Sequence, residues 1–288
     1  MKNFIVAIIL FVFAFISSYC FADCNIKMFN VGHGDSILIQ TDTENILVDT
    51  GALSARSKLN SELNHLTIHK LILTHPHADH IANAKFIVDN FRCNNIYDNG
   101  VVSSSNYYKN YINSGASITH LSKGDIIYID SDTALEIYNP DTDYVSINDS
   151  SLVFKLTYKN FKMLFTGDAQ FATESLLTNI GKVDVLKSPH HGSKTSSTLN
   201  FIQSIRPDTV IISADGSYNF PHAESLNSYV YSGVSYIYCT KYNGDISIHT
   251  DGYTYTTTPE YNIDWLNPYL DTLNNNRVIS AINIPISN

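Results

Sequence analysis

The stretch LILTHPHADHIANA, residues 71–84, places three histidines and an aspartate within six positions, directly after an apolar run typical of a buried strand. Imidazole and carboxylate groups are costly to desolvate unless something binds them. Side chains two apart in an extended segment point to the same side, so His75 and His77 offer two nitrogens to one ion. Asp79 and His80, at the turn into a helix, offer an oxygen and a nitrogen to a neighbouring ion. Such mixed ligation suits zinc and related transition metals, and the pattern therefore predicts a metal site.

Two further strand ends supply ligand-type residues downstream. The segment MLFTGDA places Asp168 directly after an apolar strand, and VDVLKSPHHGS places His190 and His191 after another. A single Gly-Asp turn has little specificity. Three strand ends that each supply such residues are far more specific, because catalytic sites gather groups from several elements. Lys187, just before the histidine pair, is expected to be solvated, as lysines usually are.

The elements that must position these residues are short strands, followed by alternating strands and helices. Strand-like runs bounded by turn residues come first, and no helical pattern appears before residues 79–91. A second strand-rich block follows, after which strands alternate with helices expected near residues 170–180, 196–205 and 223–231. Two β-rich halves, each followed by helices, predict an α/β (α+β) fold of two face-to-face sheets with helices outside, a four-layer αββα sandwich. A doubly wound sheet is disfavoured because no GxGxxG follows the first strand.

The composition, 44% apolar and 16% charged in 288 residues, is that of a globular protein. Residues 1–22 combine Lys2, an unbroken run of 13 apolar residues and small residues before Ala22. This pattern predicts a secretory signal peptide cleaved after Ala22, and hence a secreted or periplasmic protein. An uncleaved membrane anchor is the alternative, but it needs about 18 apolar residues. Residues 23–258 form the predicted domain, and residues 259–288 a C-terminal extension of unknown role.

The charge of the chain without residues 1–22 is −10, from 17 basic and 27 acidic side chains. Net charge would therefore not attract a polyanion, but two dications would add +4 locally, so a phosphate-bearing substrate is compatible with the site itself. No run after residue 22 approaches about 18 apolar residues, so no stable membrane domain is expected after cleavage. The scattered cysteines exclude a CxxC zinc site and leave disulfide pairing and oligomeric state open: Cys24, Cys93 and Cys239.

The ordered motifs resemble a known family. The pattern HxHxDH at residues 75–80, with the later Asp168, resembles the metallo-β-lactamase superfamily of αββα metallohydrolases. Within that superfamily, six segments resemble the hydrolase domain of ComEC-type DNA-uptake proteins in the same order: FNVGHGDSILI, VDTG, NDSSLVF, LFTGD, LKSPHHGS and NFPHAE. Phosphorylcholine esterases share part of this pattern. The resemblance covers roughly residues 24–250.

This resemblance implies two divalent metal ions, with Zn²⁺ expected before Mn²⁺. His75 and His77 would hold the first ion, Asp79 and His80 the second, and Asp168 would bridge the two. Ligating imidazoles usually donate their other N–H to a carboxylate or a carbonyl. That outer role is expected of two aspartates at strand ends: Asp35 in GHGDS and Asp49 in VDTG.

The remaining site residues are less determined by the resemblance. One of His190 and His191 should ligate the second ion; the sequence leaves the choice open, and we assign His191 to the ion and His190 to the substrate. His222 in NFPHAE matches a late histidine of the same set and is assigned a catalytic role. The superfamily's usual histidine before the bridging aspartate is absent. Asn148 or Asp149 of SINDSSLVF, or a water molecule, is expected to take its place at the first ion.

These assignments predict a metal-dependent hydrolase that attacks a phosphodiester with a hydroxide held by two metals. Asp79 would orient the nucleophile, while His190 or His222 steadies the transition state or protonates the leaving oxygen. The expected partner is a phosphoester substrate, with DNA as one candidate. The alternative substrates are a non-phosphate ester, a lactone, a β-lactam, a thioester or a choline-phosphate ester. A non-catalytic secreted binding module is least favoured, because the set of metal ligands is so extensive.

Overall fold

The computed structural model describes residues 23–141 and 145–271. The predicted signal peptide, residues 1–22, lies outside the described residues, as do residues 272–288 of the predicted extension. Within the described part, no helix combines the length and apolar character that crossing a membrane would require.

The first half of the chain builds most of an eight-stranded sheet. Its strands are β1 (Cys24–Met28), β2 (Ile37–Gln40), β3 (Asn45–Val48), β4 (Lys70–Ile72), β5 (Asn95–Asp98) and β6 (Ser117–His120). β1 to β3 form an antiparallel meander, whereas β3 to β6 are parallel neighbours. Parallel neighbours need crossover connections, and these contain the helices α1 (Arg56–Glu62), α2 (Ala78–Ile81), α3 (Ala84–Asn90) and α4 (Asn106–Ile112).

The second half builds a seven-stranded sheet and then returns to the first. The second sheet consists of β7 (Ile126–Tyr128), β8 (Thr133–Asn139), β9 (Val153–Tyr158), β10 (Phe161–Phe165), β11 (Val185–Lys187), β12 (Thr209–Ile212) and β13 (Tyr236–Cys239). β7 to β10 are antiparallel, and β10 to β13 are parallel. The helices of this half are α5 (Phe171–Glu174), α6 (Leu199–Ile205), α7 (Ala223–Tyr231) and α8 (Thr240–Asn243). Finally β14 (Ile246–Thr250) and β15 (Tyr255–Pro259) extend the first sheet beside β1.

Three apolar clusters separate the layers. The middle cluster lies between the sheets, where Ile26 and Met28 of β1 pack with Phe154 and Phe165 of the second sheet. The rings of Phe154 and Phe165 stack with centroids 4.7 Å apart. A second cluster joins α1 to α4 to the outer face of the first sheet, and a third joins α6 and α7 to the second sheet. The predicted four-layer αββα sandwich is therefore confirmed.

The helices agree with the prediction only in part. Helix α7 occupies residues 223–231 as predicted, but α5 covers only Phe171–Glu174 of the helix expected near 170–180. Helix α1 was missed, because a seven-residue helix that buries Leu59 alone is too short to show a 3.6-residue period.

The described part of the C-terminal extension packs against the domain. The Trp265 ring stacks on Tyr242 with centroids 4.9 Å apart, and the Tyr269 hydroxyl donates a hydrogen bond to the Ala223 carbonyl at 3.0 Å. Residues 260–271 therefore cover the outside of α7 and α8. The three cysteines of the described part are buried and unpaired.

Candidate metal centre

The candidate site lies at one edge of the sandwich, where strand ends from both sheets meet. His75, Asp168 and His190 each stand three residues beyond the end of a strand, namely β4, β10 and β11. Because β10 and β11 are parallel neighbours, their carboxyl ends deliver side chains to the same edge. The His75 Nε2 and Asp168 Oδ2 atoms are 3.8 Å apart, so the two sheets contribute to one centre.

Four side chains converge at the second ion position: Asp79, His80, Asp168 and His191. The Nε2 atoms of His80 and His191 lie 3.4 and 3.3 Å from Asp168 Oδ1. The same two nitrogens lie 3.7 and 3.6 Å from Asp79 Oδ2. In the described part of the chain, both Nε2 atoms and Asp168 Oδ1 are buried without a hydrogen-bond partner. Buried polar atoms nearly always have a hydrogen-bond partner. Three such atoms without one, all facing the same point, fit a site for a metal ion.

The first ion position uses the other oxygen of the same aspartate. His75 Nε2 and His77 Nδ1 face each other at 3.0 Å, and these two rings form a potential donor group with Asp168. Asp168 Oδ2 is the oxygen on this side, whereas Oδ1 faces the second position. One carboxylate is thus shared between two donor sets.

Hydrogen bonds behind the second position orient its two rings. His80 Nδ1–H donates to Asp49 Oδ2 at 2.8 Å, and Asp49 is itself held by the Thr74 amide and hydroxyl at 2.8 and 2.7 Å. His191 Nδ1–H donates to the Ser213 carbonyl at 2.8 Å. In each ring the Nε2 lone pair is left for an ion. The structure therefore brings His191, rather than His190, to the second position.

The family follows from this architecture and from comparison with known proteins. The family model described as the metallo-beta-lactamase superfamily matches residues 29–216. The chain belongs to this superfamily. By family it is a metal-dependent hydrolase, and its candidate site offers ligands for divalent ions.

Two curated proteins are similar to the chain and confirm the predicted ComEC-type resemblance. ComE operon protein 3 of Bacillus subtilis (strain 168) is 31% identical over 252 residues, covering 77% of this chain and 32% of that protein. Recombination protein 2 of Haemophilus influenzae is 32% identical over 209 residues, covering 67% of this chain and 25% of that protein. The chain therefore spans between a quarter and a third of these relatives.

Three solved structures share the fold at low identity. YhfI of Bacillus subtilis has a TM-score of 0.53 and 14% identity, covering 74% of this chain and 96% of its own. The metallo hydrolase Igni18 of Ignicoccus hospitalis has a TM-score of 0.54 and 13% identity, covering 77% and 98%. CmlA, a diiron β-hydroxylase of Streptomyces venezuelae, has a TM-score of 0.56 and 12% identity, covering 75% and 52%. Since a hydroxylase shares this fold, the reaction must be argued from the site.

His190 lies beside the first ion position instead of the second. Its Nδ1–H donates to the Thr195 hydroxyl at 3.1 Å, and its Nε2 accepts from the side-chain amide of Asn148 at 3.3 Å. This Nε2 is 3.8 Å from Asp168 Oδ2. Burial lowers the pKa of His190 below its ordinary value, so the ring is neutral at neutral pH. His190 thus lies beside the first ion position, and the side-chain amide of Asn148 lies against its ring.

The turn that carries the histidine pair is strained. His190 and His191 have φ values of 46° and 54°, in the left-handed region. This region costs a non-glycine residue about 1–2 kcal/mol. Such strain concentrates at functional sites, and here it aims two neighbouring rings at the two ion positions.

Asp149, one of the alternatives expected to take the place of the missing superfamily histidine, is held by hydrogen bonds to other residues. Its carboxylate accepts hydrogen bonds from the Ser146 hydroxyl at 2.7 Å, the Thr173 hydroxyl at 3.1 Å and the Gln170 amide at 3.3 Å. These bonds occupy both oxygens, so Asp149 joins the segment before β9 to helix α5.

His222 lies at the rim of the centre. Its Nδ1 accepts a hydrogen bond from the Lys194 amide at 3.1 Å, and its ring meets Phe220 edge-on at 5.0 Å. The Phe220 ring also contacts those of His190 and His191, at 5.7 and 6.2 Å. The Phe220 ring thus lies between His222 and the histidine pair. The catalytic role of His222 stays a prediction.

Two site residues were not anticipated. Lys187 is 1% exposed, so the prediction of a solvated lysine is wrong. Its ammonium forms an ion pair with Asp35 and donates to the Gly167 carbonyl at 3.2 Å. Asp35 therefore faces Lys187 as well as His191, whose Nδ1 lies 3.6 Å from Asp35 Oδ1. His33 was overlooked between two glycines of VGHGDS; its Nε2 lies 3.2 Å from Asp79 Oδ2.

The electrostatics of the centre favour bound cations. Burial alone would lower the pKa of His80, but carboxylates led by Asp168 and Asp49 hold it well above its ordinary value. Burial also lowers the pKa of His191, but the carboxylates of Asp168 and Asp35 outweigh burial and raise that pKa to about 9. Without metal both rings are therefore protonated at neutral pH, and each must lose a proton to ligate an ion.

We expect the metal-free protein to lose stability between pH 6.5 and 9. The raised pKa of His191 contributes stability that is fully present below the unfolded pKa of about 6.5 and is lost as pH rises through about 9. The expected loss is on the order of 3 kcal/mol. Below pH 6.5 the slope reverses, because burial lowers the pKa of His75 and holds it neutral.

Urea unfolding at pH 6.5 and 9 tests this pH dependence. Saturating Mn²⁺ should abolish the decline, since the ligating rings then carry no proton on Nε2. The His191→Gln variant in chelator should show a smaller decline than the wild type. An equal decline with and without Mn²⁺ would contradict the assignment.

Gly34 allows the close approach that places Asp79. With φ at 121°, a Cβ on Gly34 would lie 2.1 Å from the Asp79 carbonyl oxygen. That backbone is held, because the Asp35 amide donates to the same carbonyl at 3.3 Å and the Gly34 carbonyl accepts from the Ser213 hydroxyl at 2.6 Å. We expect Gly34→Ala to displace Asp79 and to halve the metal bound per chain. The control is Gly124→Ala, whose φ is 96° with no other atom within 4 Å, so it has similar backbone strain without the clash. Equal metal content in the two variants would refute the expectation.

Proposed function

We propose that the chain is a metal-dependent phosphodiesterase that uses two divalent ions. The observation that carries the proposal is the shared carboxylate, Asp168, with Oδ1 facing His80 and His191 and Oδ2 facing His75. Two ions, when bound, would supply hydroxide at neutral pH and balance the charge on the phosphoryl oxygens. The described chain itself supplies ligands, orientation and proton transfer.

The residues at the centre divide into buried holders and accessible groups. The side chains of His80 and His191 are fully buried, whereas that of Asp79 is 23% exposed and that of His190 is 18% exposed. Asp79 therefore faces the opening, where its carboxylate can orient the nucleophile. The lone pair on His190 Nε2, steadied by the Asn148 amide, can accept a proton and return it to the leaving oxygen.

Charge favours an anionic ester over a neutral lactone or lactam. Four carboxylates and one buried ammonium line the centre: Asp35, Asp49, Asp79, Asp168 and Lys187. With two dications their formal sum is +1, which attracts a phosphodiester monoanion. Zn²⁺ is the ion proposed first, because histidine nitrogens and carboxylate oxygens are its usual ligands, and Mn²⁺ is the alternative.

DNA is retained as one candidate substrate. It is suggested by the relatives, one of which is named a recombination protein, although the chain spans only part of their length. A smaller phosphodiester would use the same ions and the same proton transfer, so the two have to be compared directly.

The test is hydrolysis of bis-p-nitrophenyl phosphate and of linear DNA by residues 23–288, with Mn²⁺ or Zn²⁺. We expect cleavage that is lost in chelator, restored by metal and lost in His77→Ala. The control is His249→Ala, which removes a histidine whose side chain is 54% exposed on β14. Failure to cleave either substrate with two ions measured per chain would overturn the proposal in favour of a lactone, β-lactam or thioester.

We further propose that residues 1–22 direct export of the domain. Support comes from the charged start, the apolar run of 13 residues and the small residues before Ala22. Expression of the full chain in a bacterial host, followed by amino-terminal sequencing, should give a mature protein beginning at Asp23 outside the cytoplasm. Recovery of the uncleaved chain in the membrane fraction would instead support an anchor.

A further inference from the structure

The loop between β12 and α7 forms one wall of the opening to the metal centre. The Phe220 ring is 8% exposed and lies 5.7 Å from that of His190. Beside it the Tyr218 ring lies 5.8 Å from Phe220 and 5.2 Å from His33, which contacts Asp79. Tyr218 nevertheless remains 73% exposed. An aromatic ring therefore projects into solvent within two contacts of Asp79, one of the candidate metal ligands.

Tyr218 is held there at a conformational cost. Its φ of 56° and that of Asn219, 62°, both lie in the left-handed region, which is unfavourable for residues other than glycine. A side chain so exposed recovers little of this cost by burial. Strain that packing does not offset is characteristic of binding and catalytic loops.

Two lysines flank the same opening. A Cβ on Gly216, two residues before Tyr218, would collide with the Lys241 ammonium, so that ammonium lies against the loop. Lys194 is exposed, and its backbone amide donates to His222 at the rim of the centre. Neither ammonium lies within ion-pair distance of a carboxylate in the described part of the chain. The Lys241 ammonium lies over the Tyr242 ring, 5.1 Å from its centroid, so its charge is not neutralised by a carboxylate. An exposed aromatic ring beside such cations is the combination with which proteins hold single-stranded nucleic acids.

We infer that Tyr218 is a stacking platform for a nucleobase attached to the scissile phosphodiester, with Lys194 and Lys241 facing the adjoining phosphates. The inference rests on the proposed phosphodiesterase function and adds a residue that selects the substrate. Base–aromatic stacking contributes about 1–3 kcal/mol, which corresponds to about 5- to 150-fold in affinity.

The kinetic test compares two esters with the same leaving group, the p-nitrophenyl ester of thymidine 5′-monophosphate and ethyl p-nitrophenyl phosphate. Wild type should prefer the nucleoside ester in kcat/KM, and Tyr218→Ala should reduce that preference about 5- to 150-fold, mainly through KM. Tyr218→Phe should retain the preference, because its ring still stacks. The matched control is Tyr128→Ala, which removes an equally exposed tyrosine, also 73%, from β7. An unchanged preference in Tyr218→Ala would overturn the inference.

Calorimetric binding of thymidine 5′-monophosphate separates this inference from the proposed function. Tyr218→Ala should weaken binding by a similar factor, and Tyr218→Phe should not. If both esters are hydrolysed but neither preference nor binding depends on Tyr218, the stacking inference fails and the phosphodiesterase stands. If neither ester is hydrolysed while binding still depends on Tyr218, the phosphodiesterase fails and the stacking inference stands.

Discussion

Asp168→Ala is expected to lower the bound metal from two ions per chain to less than one and to reduce phosphodiester turnover by ~10³-fold or more. The effect is large because each oxygen of this carboxylate serves a different ion position. Without metal this carboxylate pairs with the protonated rings of His80 and His191, so the variant should be less stable, and circular dichroism has to show that it is folded before its metal content is measured. Metal content and turnover of bis-p-nitrophenyl phosphate, measured on the same preparation, test both parts of the expectation.

The matched control for this variant is Asp149→Asn. Asp149 is 4% exposed against 2% for Asp168, and the two lie in neighbouring loops at the same edge of the second sheet. Its oxygens are occupied by hydrogen bonds to Ser146 and Thr173 rather than aimed at an ion. We expect Asp149→Asn to retain two ions and most of the turnover. If Asp168→Ala still bound two ions per chain, the assignment of Asp168 as a ligand shared by both ion positions would be wrong.

Lys187→Met is expected to lower the free energy of unfolding by about 3–5 kcal/mol, even in chelator. The substitution takes the paired ammonium away from Asp35, which is 2% exposed, and leaves it with the more distant rings of His191 and His80, whose Nδ1 atoms lie 3.6 and 3.9 Å from its oxygens. Removing one member of a buried pair is costly because the remaining charge keeps its full desolvation penalty. Urea unfolding of the metal-free variants measures this loss.

The matched control here is Lys182→Met, which breaks a surface pair. Lys182 lies 2.8 Å from Asp208, and the two side chains are 51% and 45% exposed, so we expect a loss of about 0–1 kcal/mol. The double variant Asp35→Leu with Lys187→Met removes both charges and should recover most of the loss. If Lys187→Met and Lys182→Met lowered the free energy of unfolding equally, burial would not be the reason that the Lys187 pair matters.

The fold was predictable because its signals are local. Turn-bounded strands and the order of strand-rich and helix-rich blocks indicate two covered sheets, and the first and second sheets have this arrangement. Helix α1 escaped prediction because seven residues carry too little periodicity. The helix expected near 170–180 ends after Glu174, whose carboxylate accepts a hydrogen bond from the Thr198 amide, a partner remote in sequence.

The candidate site was predictable in its composition but not in its contacts. Residues after strand ends could be named as ligands, because strand ends are where α/β sandwiches gather functional groups. The sequence could not choose between His190 and His191, since the choice depends on the Ser213 carbonyl behind one ring. Nor could it show Lys187 paired with Asp35, which lies in the loop between β1 and β2 of the other sheet. Contacts between elements distant in the chain leave no periodic signal.

The shared carboxylate also bears on how the native state forms and how long it lasts. Residues 75–80 follow β4 of the first sheet and residues 168–191 belong to the second, so the ligand set is assembled only when the two sheets dock. Closing the large loops between such distant segments costs conformational entropy, and ions that need the completed ligand set bind after the sheets have docked. Interactions that form late leave the folding rate almost unchanged and slow the unfolding rate. Bound ions would therefore set the lifetime of the folded chain rather than the speed at which it forms.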